Sequence, residues 1–370
     1  ISLDNDLMLA IPMFLIAGNI MTRGSIARRL IRITTLLTDP LPGGLGVAAI
    51  LSCALFAAIS GSSPVTLLAV GAILYPALIE NGYSKRFALG AITSGGTLGI
   101  IIPPSIPLIV YGLVTEQSIA DLFIAGIGPG ILLTIALAGY ALWVNRKRPA
   151  RPFQRREFLR ALRDGIWALL LPVVLLGGIY SGYFSPTEAA AVGAVGAFLL
   201  ALLMGGLNAS VMRQIVRETA ALIGMIFLIL IGASFFNFFL ETTGLPRMLA
   251  GTIAGSGLHP AMVMVLILLF YIVLGCFMDS MSMVLLTVPL LAPVAVALDF
   301  NMVWFGVLVV TVAEIGLITL PVGMNLFVVQ ATAPGLRQET VIRGILPFIL
   351  ADIARLALLL AVPWLVTLAW

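Results

Sequence analysis

Twelve long apolar runs divided by short polar turns dominate this sequence, at residues 7–21, 44–59, 64–80, 88–113, 121–143, 164–183, 187–205, 219–240, 259–276, 281–298, 302–329 and 343–369. A helix needs about 20 consecutive apolar residues to cross a hydrocarbon core roughly 30 Å thick, and the runs cluster around that length. Only 10 % of the residues are charged and 61 % are hydrophobic. Soluble domains carry about 25 % charged residues, so this chain cannot present a polar surface to water on all sides. The short alternating segments that build β-barrels are absent. The expected fold is therefore an all-α, polytopic membrane protein.

Residues 145–163 hold Arg146, Lys147, Arg148, Arg151, Arg155, Arg156, Arg160 and Arg163 against Glu157 alone, more positive charge than the chain's net +4. Basic residues gather on the cytoplasmic side of membrane proteins, which explains this loop better than nucleic-acid binding does. With the loop inside, alternation of the runs also puts Arg23, Arg28, Arg29, Arg32, Lys85, Arg86, Arg213, Arg217, Arg337 and Arg343 inside. Asp121, a loop at 241–257 and Asp299 then fall outside.

Two pairs of runs differ from the rest. Run 44–59 would make a helix of about 24 Å, short of the hydrocarbon core. It meets 64–80 through Ser60, Gly61, Ser62, Ser63 and Pro64, just as 259–276 meets 281–298 through residues Gly275 to Ser280. Both pairs read as re-entrant hairpins. Each is followed by a run broken in its middle, by Thr93 to Gly99 with Pro103, Pro104, Ser105 and Pro107, and by Thr311, Glu314, Gly316, Thr319, Pro321, Gly323 and Asn325. Gly99 to Pro104 and Gly316 to Pro321 share one spacing. Copy one is entered from the cytoplasm and copy two from outside, so the chain reads as two inverted repeats, each a hairpin plus a broken transmembrane helix. That arrangement is expected of secondary transporters.

Proline lacks an amide hydrogen and clashes with the preceding turn, so Pro103-Pro104 interrupts its helix. The freed backbone groups need partners inside the protein, because lipid offers none. Carbonyls at a break suit sodium, and amides opening the next half-helix suit a carboxylate. One sodium site is expected between Gly61, Ser62 and Ser63 and the break at Thr97 and Gly99. A second is expected between Gly275, Asp279 and Ser280 and the break at Gly316 and Thr319, with Glu314 either in the coupling site or paired to another helix. Singly, such glycines and serines are more often packing residues; the repeated constellation is what argues for a site. The expected substrate-binding set is Ser62, Thr93, Pro103, Pro104, Ser105, Pro321, Gly323 and Asn325. Neither break holds Lys or Arg, so an anionic cargo would lean on amides, hydroxyls and cotransported cations.

Other chemistry is poorly supported. Cys53 and Cys276 lie inside apolar runs and read as buried small hydrophobes, and the single histidine, His259 before Pro260, reads as a boundary residue. That inventory rules out zinc or haem sites built from several His or Cys. No phosphate-binding glycine loop followed by Lys and Ser is present, so an ATP-driven pump is not expected. Asp4 and Asp6 stand where a signal peptide would be basic, and the opening residues read as an interior boundary.

Several stretches together resemble one family. They are Ile11-Pro12-Met13-Phe14-Leu15-Ile16-Ala17-Gly18-Asn19, Ser60-Gly61-Ser62-Ser63, Gly96 to Gly112 with Pro103-Pro104-Ser105-Ile106-Pro107, Met278-Asp279-Ser280-Met281 with Pro289 and Pro293, and Glu314 to Thr319 with Pro321, Gly323 and Asn325. The chain resembles the large membrane subunit (M subunit) of tripartite ATP-independent periplasmic (TRAP) transporters. The resemblance implies sodium-coupled import of dicarboxylates, keto acids or sialic acid across a bacterial inner membrane, with two or more Na+ as coupling ions. It also implies a scaffold, an elevator-like transport domain holding both hairpins, a periplasmic substrate-binding protein and a small four-helix membrane subunit. Against the family pattern, an early membrane helix is expected to be absent, and Leu320-Pro321 stands where Pro-Pro is usual.

The expected organisation is a scaffold helix and amphipathic arm at 1–43, a first repeat at 44–120, scaffold and linking helices at 121–240, a second repeat at 241–335 and a C-terminal helix at 336–370. The rival readings are a sodium- or proton-coupled anion symporter needing no binding protein, a channel, and an intramembrane enzyme. The last is disfavoured because no catalytic cluster is evident.

Overall fold

A computed structural model describes residues 7–22, 25–205, 207–332 and 337–367. Among the described residues the chain forms α1 (Leu7–Thr22), α2 (Ser25–Thr38), α3 (Gly44–Ser60), α4 (Ser63–Glu80) and α5 (Lys85–Thr97). A single 3-10 turn, Leu98–Ile100, precedes α6 (Ile106–Thr115), α7 (Ile119–Asn145), α8 (Arg155–Tyr180), α9 (Pro186–Leu203), α10 (Ala209–Thr243) and α11 (Leu245–Ala254). The chain continues through α12 (Pro260–Gly275), α13 (Ser280–Ala297), α14 (Met302–Ile318), α15 (Met324–Thr332), α16 (Gln338–Ala361) and α17 (Trp364–Thr367).

Polar residues fix where these helices begin. Ser84, Ser118, Asn208, His259 and Asn301 each accept a backbone N–H from two or three residues on, satisfying a donor that the first turn leaves orphaned. His259 is thus a helix cap. At α9, Ser185 and Glu188 close a capping box.

Seven described helices are long and apolar enough to cross a membrane, or eight if α1 and α2, inclined at 69°, count as one bent span. The shorter apolar helices are α3, α6, α12 and α14. They are the first arms of the two helix–turn–helix pairs and halves of the two interrupted runs. The interrupted helices occupy the centre of the molecule, where every residue from Phe87 to Thr97 in α5 and from Val303 to Ile318 in α14 is buried. Around them α16 packs along α5 and α14, α12 and α13 pack on α14, and α1 lies against α9 and α10.

Two expectations need correcting. The basic segment 145–163 is not one loop, because α7 runs to Asn145 and α8 starts at Arg155. Arg155, Arg156, Arg160 and Arg163 are exposed on the first turns of α8, while Ala161 and Gly165 of the same turns pack on Ile33 of α2. The arginines masked that apolar stripe. Residues 241–257 are likewise not a plain loop but contain α11, which buries Pro246 and Ala250.

The intervening turn is anchored by two of its arginines. The Arg148 guanidinium lies 3.8 Å from the centre of the Tyr83 ring and donates to the carbonyls of Asn81 (3.0 Å) and Gly82 (2.6 Å). Arg151 donates its side chain to Asn81 Oδ1 at 2.8 Å and its amide to the Asp39 carbonyl at 2.8 Å. Partial burial in this corner raises the Asp39 carboxyl above its ordinary range, against the opposing pull of Arg151.

Candidate functional site

Each turn of a helix pair sits on the break that follows it. Gly61 closes α3 in the left-handed conformation (φ +59°), and a Cβ there would fall 2.4 Å from the Pro104 carbonyl oxygen. Its own carbonyl accepts the Ile106 amide at 3.3 Å. Gly99 presses on the Ser62–Ser63 peptide so closely that a Cβ would lie 2.6 Å from the Ser62 oxygen. Ser105 accepts the Leu108 amide at the start of α6 and donates to the Ile100 carbonyl, closing the first break internally.

The second copy repeats the plan with different side chains. Gly275 and Gly316 touch through their backbones, a Cβ on Gly316 meeting Gly275 Cα at 2.5 Å. The Gly323 amide donates to the Cys276 carbonyl at 3.0 Å, the counterpart of Ile106 to Gly61. Asp279 caps α13, its carboxylate accepting from the Met281 and Ser282 amides and the Ser282 hydroxyl. Ser62, at the matching start of α4, makes no side-chain cap bond. Among the described residues two side-chain bonds cross between copies: Asn325 Nδ2 donates to Ser63 Oγ at 2.6 Å, with both residues buried, and the Tyr111 hydroxyl of α6 donates to the Met302 carbonyl of α14 at 2.6 Å.

Between the two tips lies a cavity of about 130 Å³. Of the expected sodium- and substrate-binding residues, Gly61, Ser62, Ser63, Asp279 and Ser280 line it, with Pro64 and Pro107 of the first tip and break beside them. Ser63, Ile106, Ser280 and Met324, the first residues of α4, α6, α13 and α15, also stand on its wall. Four helix N-termini therefore converge on one small space; the first amides of α6 are taken by the Gly61 carbonyl and Ser105 and those of α13 by Asp279, while the start of α4 has no side-chain cap. Asp279 is the one ionisable lining residue, and Leu15 of α1 with Leu222, Met225 and Ile226 of α10 form an apolar wall. Two larger hollows reach neither break: an almost wholly apolar groove of about 420 Å³ among α1, α9 and α10, and a cleft of about 360 Å³ holding Arg28 and Glu218.

The remaining expected residues sit outside this lining. Thr93 and Thr97 are buried in α5 and donate to the carbonyls of Leu89 and Ser94, each at 2.7 Å. Thr319 donates to Ile315, Pro103 and Pro104 are buried, and Pro321 is exposed. Gly99, Gly275, Gly316, Gly323 and Asn325 back the tips from the second row through the contacts above. Glu314 faces α16, where Arg355 Nη2 donates to it at 2.8 Å and lies 3.0 Å from Asp352.

Sequence reasoning missed Arg355 and Asp352, whose signal was two opposite charges inside an apolar run. Ser94 and Thr311 were read as parts of the breaks but left out of the expected sites; each stands five residues before the break glycine of its copy, with its hydroxyl buried and without a hydrogen-bond partner. Of the apolar wall, Leu15 falls in a stretch that carries the family resemblance, whereas Leu222, Met225 and Ile226 of α10 carried no signal.

The overall fold is that of an all-α, polytopic membrane protein. It matches the crystal structure of the Alcanivorax borkumensis YdaH transporter with a TM-score of 0.70, covering 98 % of this chain and 85 % of that one at 13 % identity. At the level of sequence, the family described as "Tripartite ATP-independent periplasmic transporter, DctM component" matches residues 2–365. The chain is 40 % identical over 360 residues to the C4-dicarboxylate TRAP transporter large permease protein DctM of Pseudomonas aeruginosa, covering 96 % of this chain and 84 % of the relative. It is 34 % identical over 365 residues to the sialic acid TRAP transporter large permease protein SiaM of Vibrio cholerae, covering 98 % and 85 %. The chain belongs to the DctM family: it is a large permease subunit of the tripartite type, a multi-pass inner-membrane transport protein and not an enzyme.

Proposed function

We propose that this subunit imports a small organic acid together with two or more sodium ions, by an elevator movement of both hairpins and both broken helices against a scaffold. A periplasmic substrate-binding protein delivers the cargo, and a small four-helix membrane subunit completes the scaffold. The helix–turn–helix pairs act as re-entrant hairpins in two inverted repeats, with the turn before α8 in the cytoplasm.

One observation carries this reading: both tips and four helix N-termini meet in a single cavity free of Lys and Arg. Its charge is uneven. At tip one the start of α4 is uncapped by any side chain, which suits a carboxylate. At tip two Asp279 has taken the first amides for itself, so its negative charge suits a cation. Sodium would bind at Gly61, Ser62, Ser63, Thr97 and Gly99, and at Gly275, Asp279, Ser280, Gly316 and Thr319, with Glu314 holding α14 in register. Ser62 would face the cargo, with Pro103, Pro104, Ser105, Pro321, Gly323 and Asn325 supporting it and Thr93 behind.

The relatives' names span C4-dicarboxylates and sialic acid. A cavity of about 130 Å³ is well below the roughly 300–1,000 Å³ of drug-sized sites, which favours a dicarboxylate or keto acid over a sugar acid. The test is uptake of labelled organic acids into proteoliposomes containing this chain and its small subunit, with binding protein present or omitted and with an inward sodium or potassium gradient. Uptake only with both sodium and binding protein is expected. Uptake undiminished in potassium would refute the coupling.

A further inference from the structure

The strongest group left unexplained is the ion cluster between α14 and α16. Glu314, Asp352 and Arg355 are at most 2 % exposed, whereas the Arg343–Glu339 pair, also on α16, lies on the surface. Charges at membrane depth are costly, and replacing such a group with apolar side chains commonly loses no stability. This cluster is also incompletely satisfied: Glu314 Oε1, both Asp352 oxygens and Arg355 Nε and Nη1 lack hydrogen-bond partners. Stability alone is a weak reason for such a device, whereas fixing one helix at a set height against another is a well-attested use of buried polar groups.

The position of α16 shows which helices are being fixed. Its first half is locked to α5: a Cβ on Gly344 would fall 2.2 Å from the Arg86 carbonyl oxygen, and one on Gly90 would fall 2.2 Å from that of Gly344. Phe348 packs beside Phe87, with ring centres 6.2 Å apart. Its second half holds α14, through Arg355 to Glu314 at 2.8 Å and through Trp304 Nε1 to the Leu359 carbonyl at 3.1 Å. One helix, α16, with Pro347 in its interior, thus joins the broken helix of copy one to the broken helix of copy two. Glu314 stands two residues before Gly316, whose backbone rests on tip two. A slip of α14 along α16 would open that contact directly.

We propose that Arg355 is a positioning residue for transport: through α16 it holds the two broken helices at a fixed relative height, so that α5, α14 and α16 move as one body and the tip-two contact stays assembled. This rests on the two-break reading given above. Arg355 acts through Glu314 and touches neither cargo nor the tip cavity.

Two measurements on the complex with its small subunit and binding protein test it. In the first, Arg355→Met and Arg355→Lys are compared with wild type for the sodium concentration giving half-maximal uptake, at matched amounts of inserted protein. Arg355→Met is expected to raise that concentration at least tenfold, with partial recovery in Arg355→Lys, which keeps a charge for Glu314. A wild-type sodium dependence in correctly inserted Arg355→Met overturns the proposal. In the second, Phe87→Cys and Phe348→Cys are combined and bridged by oxidation or mercury, with each single variant as control. Uptake by the bridged protein equal to that after reduction is expected; a loss on bridging that reductant reverses overturns the proposal even where Arg355→Met fails to insert. Cross-linking reads the joint movement of α5 and α16 without reference to sodium, so a failure of the sodium reading and a failure of this one give different results.

Discussion

At the first break every residue from Thr93 to Ser105 is buried except Ile102, and Asn325 from the other copy covers Ser63. At the second break Leu320 is 50 % exposed and Val322 36 %, and the adjoining tip leaves Phe277 60 % exposed. Both copies use the same backbone device, a glycine of one element laid on the peptide of the other with one amide-to-carbonyl bond beside it. What differs is the finish: copy one is closed and uncharged at its tip, while copy two is open and carries Asp279. The contrast teaches that the fold repeats a frame and leaves the division of labour to a few side chains. In the proposed function, the neutral tip takes the anionic end of the cargo beside one sodium ion, and the acidic tip takes a second sodium ion alone.

The largest expected effects probe what the copies share. Gly61→Val must force β-branched geometry into a left-handed turn 2.4 Å from a carbonyl oxygen, and Gly316→Val must push against backbone at 2.5 Å. Each is expected to abolish sodium-dependent uptake while the protein still inserts, at a cost of roughly 1–3 kcal/mol or more in a thermal melt. Normal uptake in either would reduce that copy to a packing contact and break the equivalence.

A smaller effect separates the tips. Asp279→Ala removes a helix cap that accepts two backbone amides and is expected to destabilise the protein by about 0.5–2 kcal/mol. Ser62→Ala removes no cap and is expected to leave the melting temperature unchanged while weakening uptake. Equal thermal losses in the two variants would erase the distinction between a self-capped tip and an open one.

The smallest expected effect concerns the bond between copies at tip one, Asn325 to Ser63. A double-mutant cycle of Asn325→Ala and Ser63→Ala, read by thermal unfolding, is expected to give a coupling of about 0.5–1.5 kcal/mol. Zero coupling would mean that copy two does not secure tip one.

Much of this frame was legible in the sequence, for physical reasons. Several glycines, serines and prolines crowded into a few residues of an apolar run weaken a spanning helix, so both tips and both breaks stood out, and Gly99–Pro104 and Gly316–Pro321 share one spacing; Gly128-Pro129 inside the continuous α7 shows that a single such pair is not enough. His259 before Pro260 read as a helix boundary and caps α12. What hydropathy could not show was direction. The exposed arginines of residues 155–163 hid a helix that packs through Ala161 and Gly165, and Arg355 and Asp352 were averaged away inside a run of leucines. Asn325 was flagged as part of a break, but its reach to Ser63 across 262 positions is a fact of tertiary structure alone. Likewise Leu222, Met225 and Ile226 could not be told from lipid-facing residues until the tips were seen against them.

The central claim is that sodium and cargo cross together through the paired tips. Its most direct test is simultaneous uptake of radiosodium and a labelled dicarboxylate into the same proteoliposomes, with binding protein and small subunit present. The account predicts that the two fluxes rise in fixed proportion and fall together in Gly61→Val and Gly316→Val. Cargo flux that proceeds without sodium flux would contradict it.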